Sequence, residues 1–80
     1  MSILEVRIEP LAVDITFTKD ALHVRLADGR EISAPLAWFP RLQKATAAQR
    51  KNWRLIGGGV GIHWQAVDED ISVDSLLARS

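Results

Sequence analysis

The sequence predicts an α+β fold, with an antiparallel β-meander, a second β-hairpin, and short helices packed on one face. Apolar and polar residues alternate in three N-terminal segments, which is the period of half-buried strands. A glycine triplet separates two segments that each carry a tryptophan, which is typical of a hairpin turn. Prolines and a helix-capping pattern lie between these regions. The chain has 80 residues and no cysteine, so we expect a single domain over residues 1–80 without disulfides.

The first alternating segment carries Leu4, Val6 and Ile8. This alternation favours a half-buried strand, and Pro10 ends it because proline cannot donate to a strand ladder.

Two further strands are predicted on either side of a two-residue loop at Lys19-Asp20. This loop length is favoured because it puts every apolar pair on one face of the hairpin. The predicted pairs are Phe17 with Leu22, Ile15 with Val24, and Val13 with Leu26.

The next turn covers residues 27–30. A two-residue loop would set Ile32 opposite Arg25, on the polar face. A three-residue loop with Gly29 in the left-handed region sets Ile32 opposite Val24 instead. We therefore predict a type I turn with a glycine bulge, which completes a three-stranded meander.

The apolar face of this meander needs a cover, which residues 35–42 are expected to supply. Trp38, Phe39 and Leu42 have helical spacing, and Pro40 disfavours helical geometry at Phe39. The segment therefore predicts one turn, a kink and a short helix.

A second short helix is predicted from Thr46 to about Asn52. Thr46 and Gln49 have the spacing of a capping box, in which each side chain bonds the other residue's backbone amide.

Residues 53–64 predict a hairpin with Gly58-Gly59 in a type I′ turn. Arg54 and His63 would then pair on the polar face. The other predicted pairs are Gly57 with Val60, Leu55 with Ile62, and Trp53 with Trp64.

A last helix is predicted after Ser72, which has a side chain suited to a helix N-cap. Ile71 and Leu76 have the spacing of a hydrophobic staple. The acidic residues just before this helix would favour its dipole; they are Asp68, Glu69 and Asp70.

Charge is balanced overall but segregated along the chain. Ten basic residues match ten acidic ones, yet no acidic residue lies between Glu31 and Asp68. Residues 41–54, the basic strip, carry Arg41, Lys44, Arg50, Lys51 and Arg54. Such runs are solvated faces or pair within a fold, and alternatively they meet an acidic partner or RNA.

Several kinds of chemistry find no support in the sequence. The glycine run is followed by a strand, whereas a phosphate loop needs a helix there. His23 and His63 belong to no ligand pair, and the serines lie in no nucleophile elbow. We therefore expect no enzyme, no metal site and no cofactor.

Location and aromatic residues give two further expectations. The N-terminus has no signal-peptide pattern, and no apolar run approaches the roughly 20 residues that cross a bilayer, so we expect a cytoplasmic protein without a membrane partner. The aromatic residues are expected in the core. A surface tryptophan beside Arg41 or Arg54 would suit an interface anchor.

Several blocks of the sequence resemble a bacterial family of small domains of unknown function. These blocks read LADGR, PLAWFPRL, WRLI, GIHW and DEDISV, and they span nearly the whole chain. The resemblance implies a small α+β fold. It also implies that some relatives are fused to a helix-turn-helix domain and that others are encoded beside a toxin-like partner. The 80 residues show no helix-turn-helix pattern, so we do not expect direct operator binding from them.

The sequence therefore favours a protein-interaction module, antitoxin-like or regulatory, that binds a small protein partner; a homodimer is a further form of association. The expected contact residues are Arg41, Lys44, Arg50, Arg54, Asp68, Glu69 and Asp70. Replacing Arg50 and Arg54 with glutamate should weaken binding and leave the fold intact. The alternatives are RNA or DNA binding through the basic strip, which is less favoured, and a small enzyme with a site between subunits.

Overall fold

A computed structural model of the chain describes residues 10–79, which form two antiparallel three-stranded sheets and three short helices. The predicted strand at residues 4–8 lies outside the described residues. The elements in chain order are β1 (Ala12–Phe17), β2 (Ala21–Leu26), β3 (Glu31–Pro35), a 3₁₀ turn (Leu36–Trp38), α1 (Pro40–Gln43), α2 (Ala47–Lys51), β4 (Trp53–Ile56), β5 (Gly61–Trp64), β6 (Glu69–Ser72) and α3 (Val73–Arg79).

The predicted meander is confirmed as the first sheet, in the order β1-β2-β3. Ile15 lies opposite Val24, and Val24 lies opposite Ile32, as the two predicted turns require. Gly29 has a φ of 95°, the left-handed geometry expected for a three-residue loop. The buried side chains of all three strands therefore point to one face.

The start of β1 differs from the predicted register. A β-bulge between Ala12 and Asp14 places Ala12, rather than Val13, opposite Leu26. Because a bulge adds one residue to a strand, it switches the face on which the preceding side chains lie. Ala12 is consequently buried, and Val13 is 44% exposed.

The second sheet contains the predicted hairpin and one strand more. Trp53 lies opposite Trp64, and Leu55 lies opposite Ile62, as expected. The turn is shifted by one residue, because the Gly59 amide donates to the Ile56 carbonyl and so centres the turn on Gly57-Gly58. All three glycines have positive φ.

The additional strand is β6, which pairs with β5. Residues 68–70 were predicted to lie just before a helix, and they do precede α3, but Glu69 and Asp70 also belong to this strand, which was not predicted. The order of the second sheet is β4-β5-β6, so the C-terminal part of the chain forms a three-stranded meander instead of a single hairpin.

The region between the sheets follows the predicted sequence of turn, kink and helix. Phe39, with φ −129° and ψ 80°, separates the 3₁₀ turn from α1. Phe39 and Leu42 are buried, whereas Trp38 is 42% exposed and so does not belong to the predicted apolar cover. A short 3₁₀ turn does not continue the stripe of an α-helix, so adjacent residues face different ways.

Both predicted helix caps are present. Thr46 and Gln49 form the capping box of α2, with each side chain bonded to the other residue's amide. The Ser72 hydroxyl accepts a hydrogen bond from the Ser75 amide at the start of α3. These bonds satisfy amides that a helix leaves unpaired at its first turn.

One hydrophobic core joins the two sheets. Its largest fully buried side chain is Trp64, whose indole N–H donates to the Arg50 carbonyl at 3.0 Å. The tip of the β4–β5 hairpin touches the start of β1, where the Ala12 amide donates to the Gly59 carbonyl at 2.8 Å. None of the helices within residues 10–79 is long and apolar enough to cross a membrane.

Candidate functional site

A groove of about 510 Å³ runs beside the C-terminal half of β1. Residues 15–19 form one wall. The opposite wall is formed by Ala47, Arg50 and Lys51 of α2 and by Trp53 at the start of β4. We call this the β1 groove. It lies away from the contact between Ala12 and Gly59, because it is lined by the other end of the strand.

Phe17 is the centre of the wall that β1 supplies. Its ring meets the Trp64 ring edge to face, with 6.3 Å between centroids and 72° between planes. The Arg50 guanidinium lies 5.8 Å from the centroid of the Phe17 ring. Such aromatic and cation–π contacts fix the ring in place, so the groove has a preformed apolar surface.

Arg50 holds α2 against the end of α1. Its Nε donates to the Leu42 carbonyl and its terminal nitrogen donates to the Gln43 carbonyl, both at 2.9 Å. Carbonyls at the last turn of a helix lack partners within the helix, so a guanidinium bonded to them stabilises that end. Arg50 was predicted as a partner contact, and the structure gives it these internal bonds as well.

The rim of the groove is basic. Lys19 and Lys51 are exposed, and Arg50 is half-buried between them and the core. The lining of the groove contains no aspartate or glutamate within residues 10–79. The site therefore combines an apolar floor with uncompensated positive charge.

Arg41 links the basic strip to the acidic segment. Its guanidinium donates to the Asp68 carbonyl at 2.6 Å and lies 3.9 Å from a Glu69 carboxylate oxygen. Asp68 has a φ of 53°, a geometry that non-glycine residues adopt infrequently. Segregated charges can pair within a fold, and the contact between Arg41 and Glu69 is such a pair.

Arg54, His63 and Asp70 form a row across the second sheet, on the polar face that was predicted for the first two. Arg54 lies opposite His63 on β5, and His63 lies opposite Asp70 on β6. The His63 Nδ1 and an Asp70 carboxylate oxygen are 2.5 Å apart. The row contains no nucleophile, so it is a polar cross-strand ladder.

The predicted contact residues thus fall on separate parts of the molecule. Arg41 meets Asp68 and Glu69, and Arg50 lies in the β1 groove. The exposed Lys44 follows α1 and does not line the groove.

Sequence patterns missed three residues of the groove as functional candidates. Phe17 and Trp53 were assigned to the core because they fall on the apolar faces of their hairpins, and both are half-buried in the structure. Lys19 was interpreted only as a turn residue. No pattern in the sequence marks these three as neighbours, since the groove depends on how α2 and β4 lie beside β1.

A second cavity lies beside the acidic residues of β6. The partly exposed Trp38, which precedes Arg41 by three residues, borders a polar cavity of about 220 Å³. Glu69 and Asp70 also line this cavity. Among residues 10–79, no three histidine or acidic side chains cluster as metal ligands.

Comparison with known proteins identifies a family but not an activity. The chain is similar to a protein of unknown function from Rhodospirillum rubrum, whose crystal structure superposes with a TM-score of 0.76 at 27% identity, covering 90% of this chain and 89% of the other. Curated protein sequences give no match. A family model described as "Protein of unknown function (DUF2442)" matches residues 12–80, so the chain belongs to that family.

Proposed function

We propose that the chain is a cytoplasmic protein-interaction module that binds a small protein partner through the β1 groove. The observation that carries the proposal is the groove of about 510 Å³ beside the C-terminal half of β1, with its preformed apolar floor. Phe17 and Trp53 supply aromatic side chains that the fold leaves half-buried. Aromatic side chains of this kind are frequent anchors at protein interfaces.

An antitoxin-like or regulatory role is the finer form of this proposal. It rests on the resemblance, which implies that some relatives are encoded beside a second small protein. A chain of 80 residues buries a modest fraction of its surface, about 60% for a domain of this size, so a partner would add stability as well as function.

Nucleic-acid binding through the basic strip is the alternative proposal. Arg41 and Arg50 donate hydrogen bonds to backbone carbonyls of the fold, and the exposed cations of the strip are Arg41, Lys44, Lys51 and Arg54. A small enzyme with a site between two subunits would require an oligomer, which gel filtration tests.

The test of the main proposal is a pull-down from the native host with the full chain as bait, with and without nuclease. Lys51→Glu places a carboxylate in the β1 groove. Lys44→Glu makes the same charge change outside the groove, and both residues are exposed, so both variants should fold. Circular dichroism confirms their folding.

We expect the wild-type chain and Lys44→Glu to recover one small protein in stoichiometric amount after nuclease treatment, and Lys51→Glu to lose it. Loss with Lys44→Glu alone would move the interface from the groove to the rest of the basic strip. Recovery that disappears with nuclease would favour the nucleic-acid alternative.

A further inference from the structure

We propose that the β1 groove takes an extended, acidic polypeptide segment, which pairs with the open edge of β1 at Phe17 and directs carboxylates toward Lys19 and Lys51. This inference rests on the proposed function and names the chemistry of the partner at the same site.

The groove follows the edge of the strand and not one of its faces. Ile15, Thr16 and Phe17 of β1 and the adjoining loop residues Thr18 and Lys19 all line it, although successive side chains of a strand point to opposite faces. Three consecutive strand residues line one cavity where that cavity runs along the strand's edge, and β1 is an edge strand of its sheet. An occupant that fits such a space is itself extended.

Among residues 10–79, the backbone of β1 offers an outward-facing hydrogen-bonding position at this edge. The Thr18 amide donates to the Ala21 carbonyl across the hairpin, and pairs in an antiparallel ladder alternate between bonded and non-bonded. Phe17, opposite Leu22, is therefore in a non-bonded pair, and its amide and carbonyl point away from β2. Within residues 10–79 the Phe17 amide receives no partner from another element.

The next outward amide along the strand is already occupied. The Ile15 N–H donates to a carboxylate oxygen of Asp14 at 2.9 Å. This bond blunts the edge on the side nearer Ala12, as proteins commonly do at exposed strands. Pairing with a segment is therefore confined to the end of β1 that includes Phe17.

The side chains around Phe17 favour an apolar residue in the segment. Trp53 lines the groove opposite β1, and the Phe17 ring is held by Trp64 and Arg50. A strand added to a sheet edge takes its affinity from main-chain bonds and its specificity from pockets for alternate side chains. An apolar side chain of the segment would enter between Phe17 and Trp53.

The charge of the rim selects the remaining side chains. Lys19, Arg50 and Lys51 line the groove, and its lining has no carboxylate in the described part of the chain. A segment with glutamate or aspartate two residues to either side of its apolar residue presents them on the same face as that residue and complements this charge, and a basic segment is repelled. A second copy of this chain, which carries Asp68, Glu69 and Asp70 side by side, is the competing occupant that the experiment distinguishes.

The experiment titrates the ¹⁵N-labelled full chain with three capped hexapeptides. The first, Thr-Glu-Thr-Val-Thr-Glu, has its valine and both glutamates on one face of a strand, and the second has lysines in place of the glutamates. The third is the glutamate peptide with its valine amide N-methylated, which removes a donor for strand pairing. Amide chemical shifts report both the affinity and the place of binding.

We expect the glutamate peptide to shift the amides of Phe17 and Thr18 and the Trp53 indole. It should bind about tenfold more tightly than the lysine peptide, because two carboxylates meet exposed lysines. N-methylation should weaken binding by a similar factor of about ten. Lys51→Glu should abolish the preference for glutamate, and Lys44→Glu should retain it.

Equal binding of the acidic and basic peptides, shifts confined to another surface, or no loss on N-methylation would each overturn the inference. So would shifts at Phe17 that depend only on protein concentration, because a second copy would then occupy the groove. If no peptide binds while the pull-down partner remains sensitive to Lys51→Glu, the extended-segment inference fails and the proposed function stands.

Discussion

Gly59 lies so close to β1 that a larger residue would collide with the strand. A Cβ built at Gly59 would stand 2.5 Å from the Ala12 carbonyl oxygen and 3.0 Å from the Ala12 amide nitrogen. Its φ of 117° is also one that L side chains rarely adopt. The contact between the hairpin tip and β1 therefore depends on the absence of a side chain at this position.

Gly59→Ala should destabilise the protein more than Gly58→Ala does. Gly58 has a positive φ of 72° but nothing within 4 Å of a built Cβ, so its substitution carries only the backbone strain. We expect the free energy of unfolding of Gly59→Ala to be lower than that of Gly58→Ala by at least about 1 kcal/mol. Urea unfolding followed by tryptophan fluorescence measures both, and equal losses would show that the hairpin tip moves away from β1 at little cost.

At the scale of elements, Arg50 connects α2 to the end of α1. No residue of α2 is fully buried, so this five-residue helix depends on its capping box and on the bonds of Arg50 for its position. A helix this short has little stability of its own.

Arg50→Met keeps much of the apolar stem and removes the guanidinium, so the Leu42 and Gln43 carbonyls lose their bonds. We expect the free energy of unfolding to fall by about 1–3 kcal/mol. Lys51→Met, at the exposed neighbouring position, should change it by less than about 0.5 kcal/mol. Thermal or urea unfolding distinguishes them, and an unchanged Arg50→Met variant would mean that the guanidinium bonds contribute nothing net.

The bonds of Arg50 change which substitution best tests the partner contact. Replacing Arg50 and Arg54 with glutamate was expected to weaken binding with the fold intact. Because Arg50 bonds two backbone carbonyls, its exchange would disturb the fold and binding together. Lys51 is the better probe of the groove, since it is exposed and lines the same wall.

Local patterns predicted those elements whose signals are local. The capping box at Thr46, the left-handed Gly29 and the kink at Phe39 each follow from a few adjacent residues, and the structure contains all three. The strand β6 was missed because Glu69–Ser72 has an acidic composition that is typical of a segment before a helix. Its pairing with β5 closes a short loop at residues 65–68, which contains no glycine or proline to mark a turn.

The β1 groove was missed for a related reason. Alternation correctly assigned Phe17 to the apolar face of the hairpin, but half-burial is decided by what packs against that face. The wall of the groove comes from α2 and Trp53, more than 25 residues further along the chain. Sequence patterns fix which face is apolar, and the packing of the two sheets fixes which part of it stays open.

At the scale of the whole molecule, the dependence of affinity on salt distinguishes protein binding from nucleic-acid binding. A protein that neutralises about 6–10 phosphates loses about 10³–10⁵ in affinity when salt rises from about 50 mM to about 200 mM. The β1 groove has three cations around an apolar floor. We therefore expect affinity for the recovered partner to fall by less than about tenfold over that range. Isothermal titration at both salt concentrations checks this, and a loss near a thousandfold would support the nucleic-acid alternative.

The order of the strands has a consequence for the way the chain folds. Each sheet is a meander in which every strand pairs with its neighbour in sequence, β1-β2-β3 and then β4-β5-β6. Pairings of this kind close short loops, which costs little chain entropy and is associated with rapid folding. We expect each meander to form its own pairings early. The joining of the two through Gly59 and Ala12 closes a much longer loop, so it is the step on which the folding rate depends.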